Sequence, residues 1–309
     1  MEENIKIDYV LSYIDYNQKE VQELYTKVSN KEFNYKYNLN YIDIELVIRL
    51  IFKNMAFINN LYIVCKDIQV LPDNVENLIK EFDGRIIRIN ESQIIPDNYI
   101  TFSSACIEMF IWKIPGLSEY FIYGCDDMIP IRQLNQHMFF ENDKTINSVP
   151  FHQIYNFFCL YYLHCLNNTN LIFNRCKNND NYNLVYESTH TFRSLRKSLC
   201  EECYNKYKSF IDSSITPIRF YNNFNMDLYV LYAIKNNLNI DELRYVYQFD
   251  NLSTNINIIN YLNLTIQLKN YKNLPDVICL NDTIEDEKTY LEAIEKTKEL
   301  LSKLYYINI

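Results

Sequence analysis

Glycine is nearly absent, with three residues in 309 against a usual share of about 7%. Turns must therefore be made by Asn and Asp, which tolerate left-handed backbone angles, and each surviving glycine is expected where no side chain fits. Positive charge is also scarce. Thirty Lys and Arg face 39 Asp and Glu, a net charge of −9, which argues against a protein that coats nucleic acid, because neutralising phosphates along a duplex needs a broad basic surface. A few local basic residues could still hold one small anion. No run of about 18 uninterrupted apolar residues exists; even FIWKIPGLSEYFIYG is broken by Lys113, Pro115 and Glu119. A spanning helix is not expected. The opening MEENIKIDYV lacks the basic and apolar regions of a signal peptide, so nothing in it directs export.

The nine cysteines are odd in number and mostly single within apolar runs, as Cys65 is in LYIVCK and Cys159 in NFFCL. Reduced core thiols behave this way, which points to a reducing, cytoplasmic setting, compatible with peripheral association at the inner face of a membrane. Cys200-Glu-Glu-Cys203 with Cys165 and Cys176 could form a four-thiolate structural zinc site in an inserted segment. Ordinary thiols are the commoner explanation of a single CxxC with irregular partners.

With 48% hydrophobic residues the chain can bury a substantial core. Residues 7–14 (IDYVLSYI), rich in β-branched and aromatic residues, read as a strand ending at Asp15. A charged helix over 18–28 follows, then a helix over 42–54, whose apolar residues recur at three- and four-residue spacing, and a short strand over 61–65. A strand over 85–89, a helix over 103–112 and a strand over 120–123 bring the chain to Asp126-Asp127. Alternating strands and helices predict a mostly parallel sheet with helices on its faces, and in open sheets of this kind ligands bind at the carboxyl ends of the strands. Asp15 and the Asp126-Asp127 pair fall at such ends. Residues 132–188 lose the alternation and read as an insertion or lid. Helical periodicity returns from Thr191, closing with an amphipathic helix over 285–304. Three parts follow: an α/β half over 1–131, the insertion over 132–188, and a helical part over 189–309 that completes the same domain.

Adjacent carboxylates at the end of a buried strand are costly to keep charged without a compensating cation, so Asp126 and Asp127 invite a divalent metal, although an arbitrary Asp-Asp pair more often starts a turn or caps a helix. Arg193, Arg196 and Lys197 lie at i, i+3 and i+4, so a helix would present all three on one face, as a solvated face or as an anion site. A lone histidine such as His190 is more often structural than catalytic. Asn281-Asp282 after an apolar run could complete a metal or phosphate site or cap the last helix.

The segment IPGLSEYFIYGCDDM, residues 114–128, resembles the second conserved region of the Stealth phosphotransferases, which include bacterial capsule polymerases and the lysosomal-enzyme N-acetylglucosamine-1-phosphotransferase of animals. Residues 7–15 resemble their first region. VIRLIFKN with Arg49, followed by LYIVCK, resembles the family's SLRSIEKY helix and IYIVT strand. TFSSACIE, residues 101–108, resembles TFNSHAIE; His190 with Lys197 resembles the third region, and VICLND, residues 277–282, the fourth. These segments cover about a third of the residues in the family's order. Departures are Cys125 where the family has Asn, Tyr13-Ile14-Asp15-Tyr16 where it has Trp-Val-Asx-Gly, Ser103 where it has Asn, and Arg219-Phe220-Tyr221 where it commonly has Arg-Phe-Arg.

The resemblance implies a Rossmann-like (GT-A-like) fold with a helical insertion or lid. It also implies transfer of a hexose-1-phosphate from a nucleotide sugar, UDP-GlcNAc being the type, to a glycan hydroxyl in capsule or surface polysaccharide synthesis. His190, Asp127 and Arg49 would be catalytic, with His190 as the base, since its ordinary pKa suits proton transfer at neutral pH. Asp8, Asp15, Ser103, Ser104, Arg193, Lys197, Arg219 and Asn281 would bind substrate. Asp126, Asp127 and Asp282 would hold Mg²⁺ or Mn²⁺. The implied partners are a nucleotide-sugar donor and a glycan acceptor. Two other readings are an ordinary metal-dependent glycosyltransferase, which would release nucleoside diphosphate instead of monophosphate, and an inactive glycan-binding relative, suggested by Cys125.

Overall fold

The computed structural model describes residues 5–33, 42–96, 99–148, 151–155, 161–173, 177–178, 182–186, 191–241, 246–249, 252–280 and 287–307. The first half runs β1 (Ile7–Ser12), α1 (Lys19–Ser29), α2 (Ile44–Asn54), β2 (Ile58–Cys65), α3 (Asp73–Glu81), β3 (Ile86–Asn90), α4 (Ser104–Glu108), β4 (Tyr120–Cys125) and β5 (Met128–Pro130). The middle adds β6 (Phe140–Glu141), β7 (Lys144–Ile146), β8 (Phe151–Tyr155), α5 (Tyr161–Ile172), β9 (Lys177–Asn178) and β10 (Tyr182–Tyr186). The remainder is β11 (Arg193–Arg196), α6 (Lys197–Ser213), α7 (Asp227–Lys235), β12 (Asn239–Ile240), β13 (Val246–Phe249), α8 (Leu252–Gln267), β14 (Val277–Leu280) and α9 (Glu287–Tyr306).

The central sheet has the order β11-β4-β1-β2-β3. Its inner pairings are all parallel, and β11 closes one edge antiparallel to β4. The expected mostly parallel sheet flanked by helices is therefore observed. Alternation along β1 sends Tyr9 and Leu11 into a core layer shared with α2, α8, α9 and β14, and Val10 into a second layer shared with α6 and α7. Helix α2 begins where Asp43 accepts from the backbone N–H groups of Glu45 and Leu46, and it buries Ile44, Val47, Ile48 and Ile51. Asn and Asp make the left-handed turns as expected: Asn30, Asp83, Asn142, Asp143 and Asn237 all have positive φ. Gly124 marks a steric limit, since a Cβ there would fall 2.0 Å from the Tyr9 hydroxyl and 3.0 Å from the Phe192 ring.

A second sheet joins distant parts of the chain. Strand β14 pairs antiparallel with β5 and parallel with β13, and the Leu280 N–H donates to the Asp127 carbonyl at 2.9 Å. Among the described residues, 132–188 hold strands β6–β10 and one α-helix, α5, and β7 pairs with β12 from beyond them. Among the described residues no helix is long and apolar enough to cross a membrane.

Candidate active site

Because β1 and β4 run parallel with Ser12 opposite Cys125, the segments leaving their carboxyl ends emerge together. Asp15 is buried in the first of them. Its carboxylate accepts from the Asn17 N–H at 3.0 Å and Gln18 Nε2 at 2.9 Å, and its own N–H donates to Gln69 Oε1 at 3.0 Å. The second carries Asp126 and Asp127, both half-buried. Tyr13 senses this crowding, its phenol pushed well up by burial and then by the carboxylates of Asp15, Asp126 and Asp43. From α9, the Tyr290 phenol is raised by burial and by Asp15.

Asp127 faces an inner layer. Cys279 Sγ donates to its Oδ2 at 3.4 Å. The phenol of Tyr9 and the thiols of Cys125 and Cys279 are all pushed up, first by burial and then by neighbouring charges that include Asp127. Cys125, where the resembling family has Asn, is therefore held as a neutral thiol, 3.5 Å from the Tyr123 hydroxyl.

On the other face of β4 lies a buried acid and base group that the sequence did not mark as a site. The Arg193 guanidinium sits with Nε 3.5 Å from Asp227 Oδ1 and donates through Nη1 to the Thr191 carbonyl. Glu108 accepts from the Met226 N–H at 3.2 Å and the Tyr123 hydroxyl at 3.3 Å, and burial raises its carboxyl although Arg193 opposes that shift. Glu108 ends the TFSSACIE stretch one helical turn after Ser104, a spacing readable in the sequence; Asp227 had no such signal.

Of the expected substrate residues, Ser104 and Arg219 are brought together, with Arg219 Nη2 donating to Ser104 Oγ at 3.4 Å. Ser103 is fully buried, its Oγ 3.1 Å from Asn223 Oδ1. Several expectations need correction. Arg193 to Arg196 form strand β11, not a helix, so the three cations do not share a face. Arg196 lies opposite Tyr120 at the start of β4, paired with Glu119 at 3.0 Å, and Lys197 reaches the Leu117 carbonyl at 3.4 Å. That end is remote from the acidic pair along the strand. Asp8 is fully buried near the start of β1, where it accepts from Asn59 Nδ2 at 2.9 Å and the N–H groups of Asn60 at 3.0 Å and Ser118 at 2.7 Å. It ties the start of β2 to the loop before β4 at the amino end of the sheet. Arg49 is engaged by Glu45 at 2.9 Å and, bidentately, by Glu81 at 2.9 and 2.8 Å, which holds its guanidinium protonated between α2 and α3.

His190, Asn281, Asp282 and Cys176 lie outside the described residues. Cys165 Sγ lies 3.8 Å from the Phe220 carbonyl and Cys203 Sγ 4.0 Å from that of Leu228. Among the described residues no three His, Cys, Asp or Glu are gathered to hold a metal ion, so Cys165, Cys200 and Cys203 do not form the expected cluster. The carboxylates of the half-buried Asp126 and Asp127 are the hard donors a divalent cation of the Mg²⁺ type takes, and they are two of its three expected ligands.

Residues 37–148 match the family model of Stealth protein CR2, conserved region 2. A capsular polysaccharide phosphotransferase of Neisseria meningitidis serogroup B is 32% identical over 152 residues, 45% of this chain and 39% of that protein. The capsular polysaccharide phosphotransferase fcs1 of Haemophilus influenzae is 25% identical over 300 residues, 90% of this chain and 79% of that protein. The chain thus spans well under half the length of the first relative and about four fifths of the second. Among solved structures, the apo WbbM bifunctional glycosyltransferase aligns over 98% of this chain and 52% of that chain at 9% identity and a TM-score of 0.46. The resemblance to the Stealth phosphotransferases is borne out by the family model and by the relatives' names.

Proposed function

Since residues 37–148 carry Stealth conserved region 2, we propose that this chain transfers a hexose-1-phosphate, such as N-acetylhexosamine-1-phosphate, from a UDP-linked sugar to a glycan hydroxyl in polysaccharide synthesis. The observation that carries this reading is the placement of Asp15 just beyond β1 and of Asp126 and Asp127 just beyond β4, strands whose carboxyl ends adjoin, where open α/β sheets bind ligands. The acceptor oxygen attacks the phosphorus that bears the sugar, the bond from that phosphorus to the bridging oxygen breaks, and nucleoside monophosphate leaves. The acceptor proton passes to His190, which directly precedes Thr191, the residue whose carbonyl receives Arg193.

A divalent cation held by Asp126, Asp127 and Asp282 would neutralise the diphosphate charge. Asp15 is fixed by Asn17 and Gln18, so it can position the donor without reorganising. Arg193, opposite Tyr123 on β4, carries a buried positive charge that partly opposes the rise burial causes in the Cys279 thiol. A screen of nucleotide sugars with and without Mg²⁺ or Mn²⁺ tests the proposal by the nucleotide released. UMP from a UDP-sugar in the presence of glycan supports it. UDP would mean that the sugar–phosphate bond breaks, which is ordinary glycosyl transfer.

A further inference from the structure

The loop after Arg219 holds two aromatic rings in water on a backbone that is tied down from several sides. Phe220 and Tyr221 are 43% and 59% exposed, and their ring centroids lie 4.1 Å apart. Exposed aromatic pairs in a loose loop would be unremarkable, but this loop is not loose. Asn223, fully buried, accepts from the Phe220 N–H at 2.9 Å and returns its own N–H to the Phe220 carbonyl at 3.0 Å. Asn223 Nδ2 donates to the Ser214 carbonyl and to Thr216 Oγ1 at 2.8 Å. From α5, Asn168 donates to the Tyr221 and Asn223 carbonyls at 2.8 and 3.2 Å. The exposed His164 meets the edge of the Tyr221 ring at 6.1 Å. Folding alone does not require apolar rings at positions locked this firmly yet left wet.

The platform also has a fixed relation to the site. Asn223 meets Ser103 at 3.1 Å, Arg219 meets Ser104 at 3.4 Å, and Glu108 lies one turn further along α4. We propose that Phe220 and Tyr221 form a stacking platform for a saccharide ring of the acceptor glycan. The C–H face of a pyranose packs on the open aromatic faces, while Arg219 and His164 supply polar groups for the hydroxyls at its edge. The chemistry favours sugar over a protein partner, because flat rings rimmed by hydrogen-bonding groups match a ring with an apolar face and a polar edge. Holding the rings in place beforehand lowers the ordering cost of a weak, shallow contact. The inference rests on the transfer reading for the name of its ligand, not for its geometry.

The test compares the parent chain with Phe220→Ala/Tyr221→Ala, and with Phe220→Tyr/Tyr221→Phe as the conservative control. Binding is read by saturation-transfer difference NMR with neutral tetrasaccharides of N-acetylglucosamine and of mannose, and donor cleavage by nucleotide release from UDP-sugars. The parent should saturate C–H protons on one face of a sugar ring. The alanine pair should weaken binding about tenfold or more, the loss of roughly one aromatic contact, and the control should retain it, with nucleotide release in the absence of acceptor unchanged in both. Equal sugar signals in the parent and the alanine pair, or no sugar signal in the parent, would overturn the platform even if UMP is released. Ring-dependent sugar binding without UMP release from any donor would leave the platform standing and remove the transfer reading.

Discussion

Replacing Lys66 with Met should be among the most damaging single changes in the protein outside the acidic site. Lys66 is 2% exposed, with its ammonium 2.5 Å from Glu91 Oε2, bonded to the Thr101 carbonyl and 4.3 Å from the Phe102 ring centroid. Removing one partner of a buried ion pair typically costs about 3–5 kcal/mol, because the other charge stays buried without compensation. Here the orphan would be Glu91, whose carboxyl burial already raises and whose Oε1 is buried with no hydrogen-bond partner among the described residues. At about 2 °C per kcal/mol for a chain of this length, the loss corresponds to roughly 6–10 °C in Tm. The pH dependence has a definite sign. With Lys66 gone, the folded-state pKa of Glu91 rises further above its unfolded value, so its contribution is intact below the unfolded pKa and is lost as pH rises through the folded one. Urea unfolding followed by circular dichroism should therefore show a larger deficit for Lys66→Met at pH 8 than at pH 5. The double variant Lys66→Met/Glu91→Leu should recover most of the loss, since an apolar replacement of a buried pair is often neutral or stabilising. A single variant within about 1 kcal/mol of the parent at pH 8, or a double variant no better than the single, would refute the reasoning.

Asp127→Asn should abolish nucleotide release while leaving Tm within a few degrees of the parent, because the amide keeps the shape and the acceptor oxygen that faces Cys279 but loses the charge a cation needs; substantial turnover at low Mg²⁺ would remove Asp127 from the site. Gly124→Ala should destabilise by about 1–3 kcal/mol through overpacking, and adding Tyr9→Phe, which deletes the hydroxyl 2.0 Å from the new methyl, should restore part of the loss in thermal melts. Glu108→Gln removes a carboxyl that burial holds up toward its neutral form. Its stability relative to the parent should rise as pH increases above about 4.5, where the parent must deprotonate a buried acid, and a flat difference between pH 5 and 8 would show that the carboxylate is compensated.

Much of the frame was legible because each inner strand carries a short apolar run closed by a polar residue, and Asp15, Asp126 and Asp127 fall at strand ends for that reason. What misled were residues whose spacing fitted one structure while tertiary pairing made another. Arg193, Arg196 and Lys197 have helical spacing, yet pairing with β4 holds 193–196 extended, where alternation sends Arg193 toward Glu108 and Asp227 while Arg196 and Lys197 sit at the far end. Helix α3 escaped notice because it is short and buries only Val75 and Leu78. Asp8 and Arg49 lie in segments that resemble family regions, and a motif match does not reveal whether a side chain faces a ligand or a neighbouring loop. For Arg49 a clue was present, since Glu45 stands four residues earlier on the same helix and pairs with it at 2.9 Å.

The ladder between β5 and β14 fastens the backbone at Asp127 to the backbone at Leu280, more than 150 positions later. Such a clasp is made of main-chain groups and is indifferent to which side chains flank it. Loop-closure entropy grows slowly with length, so surface connections strung between the two fastened segments can lengthen, shorten or be exchanged while the ends keep their register. An architecture of this kind separates what must stay fixed from what is free to drift, and leaves the connecting segments open to diversification while Asp127 keeps its place in the ladder.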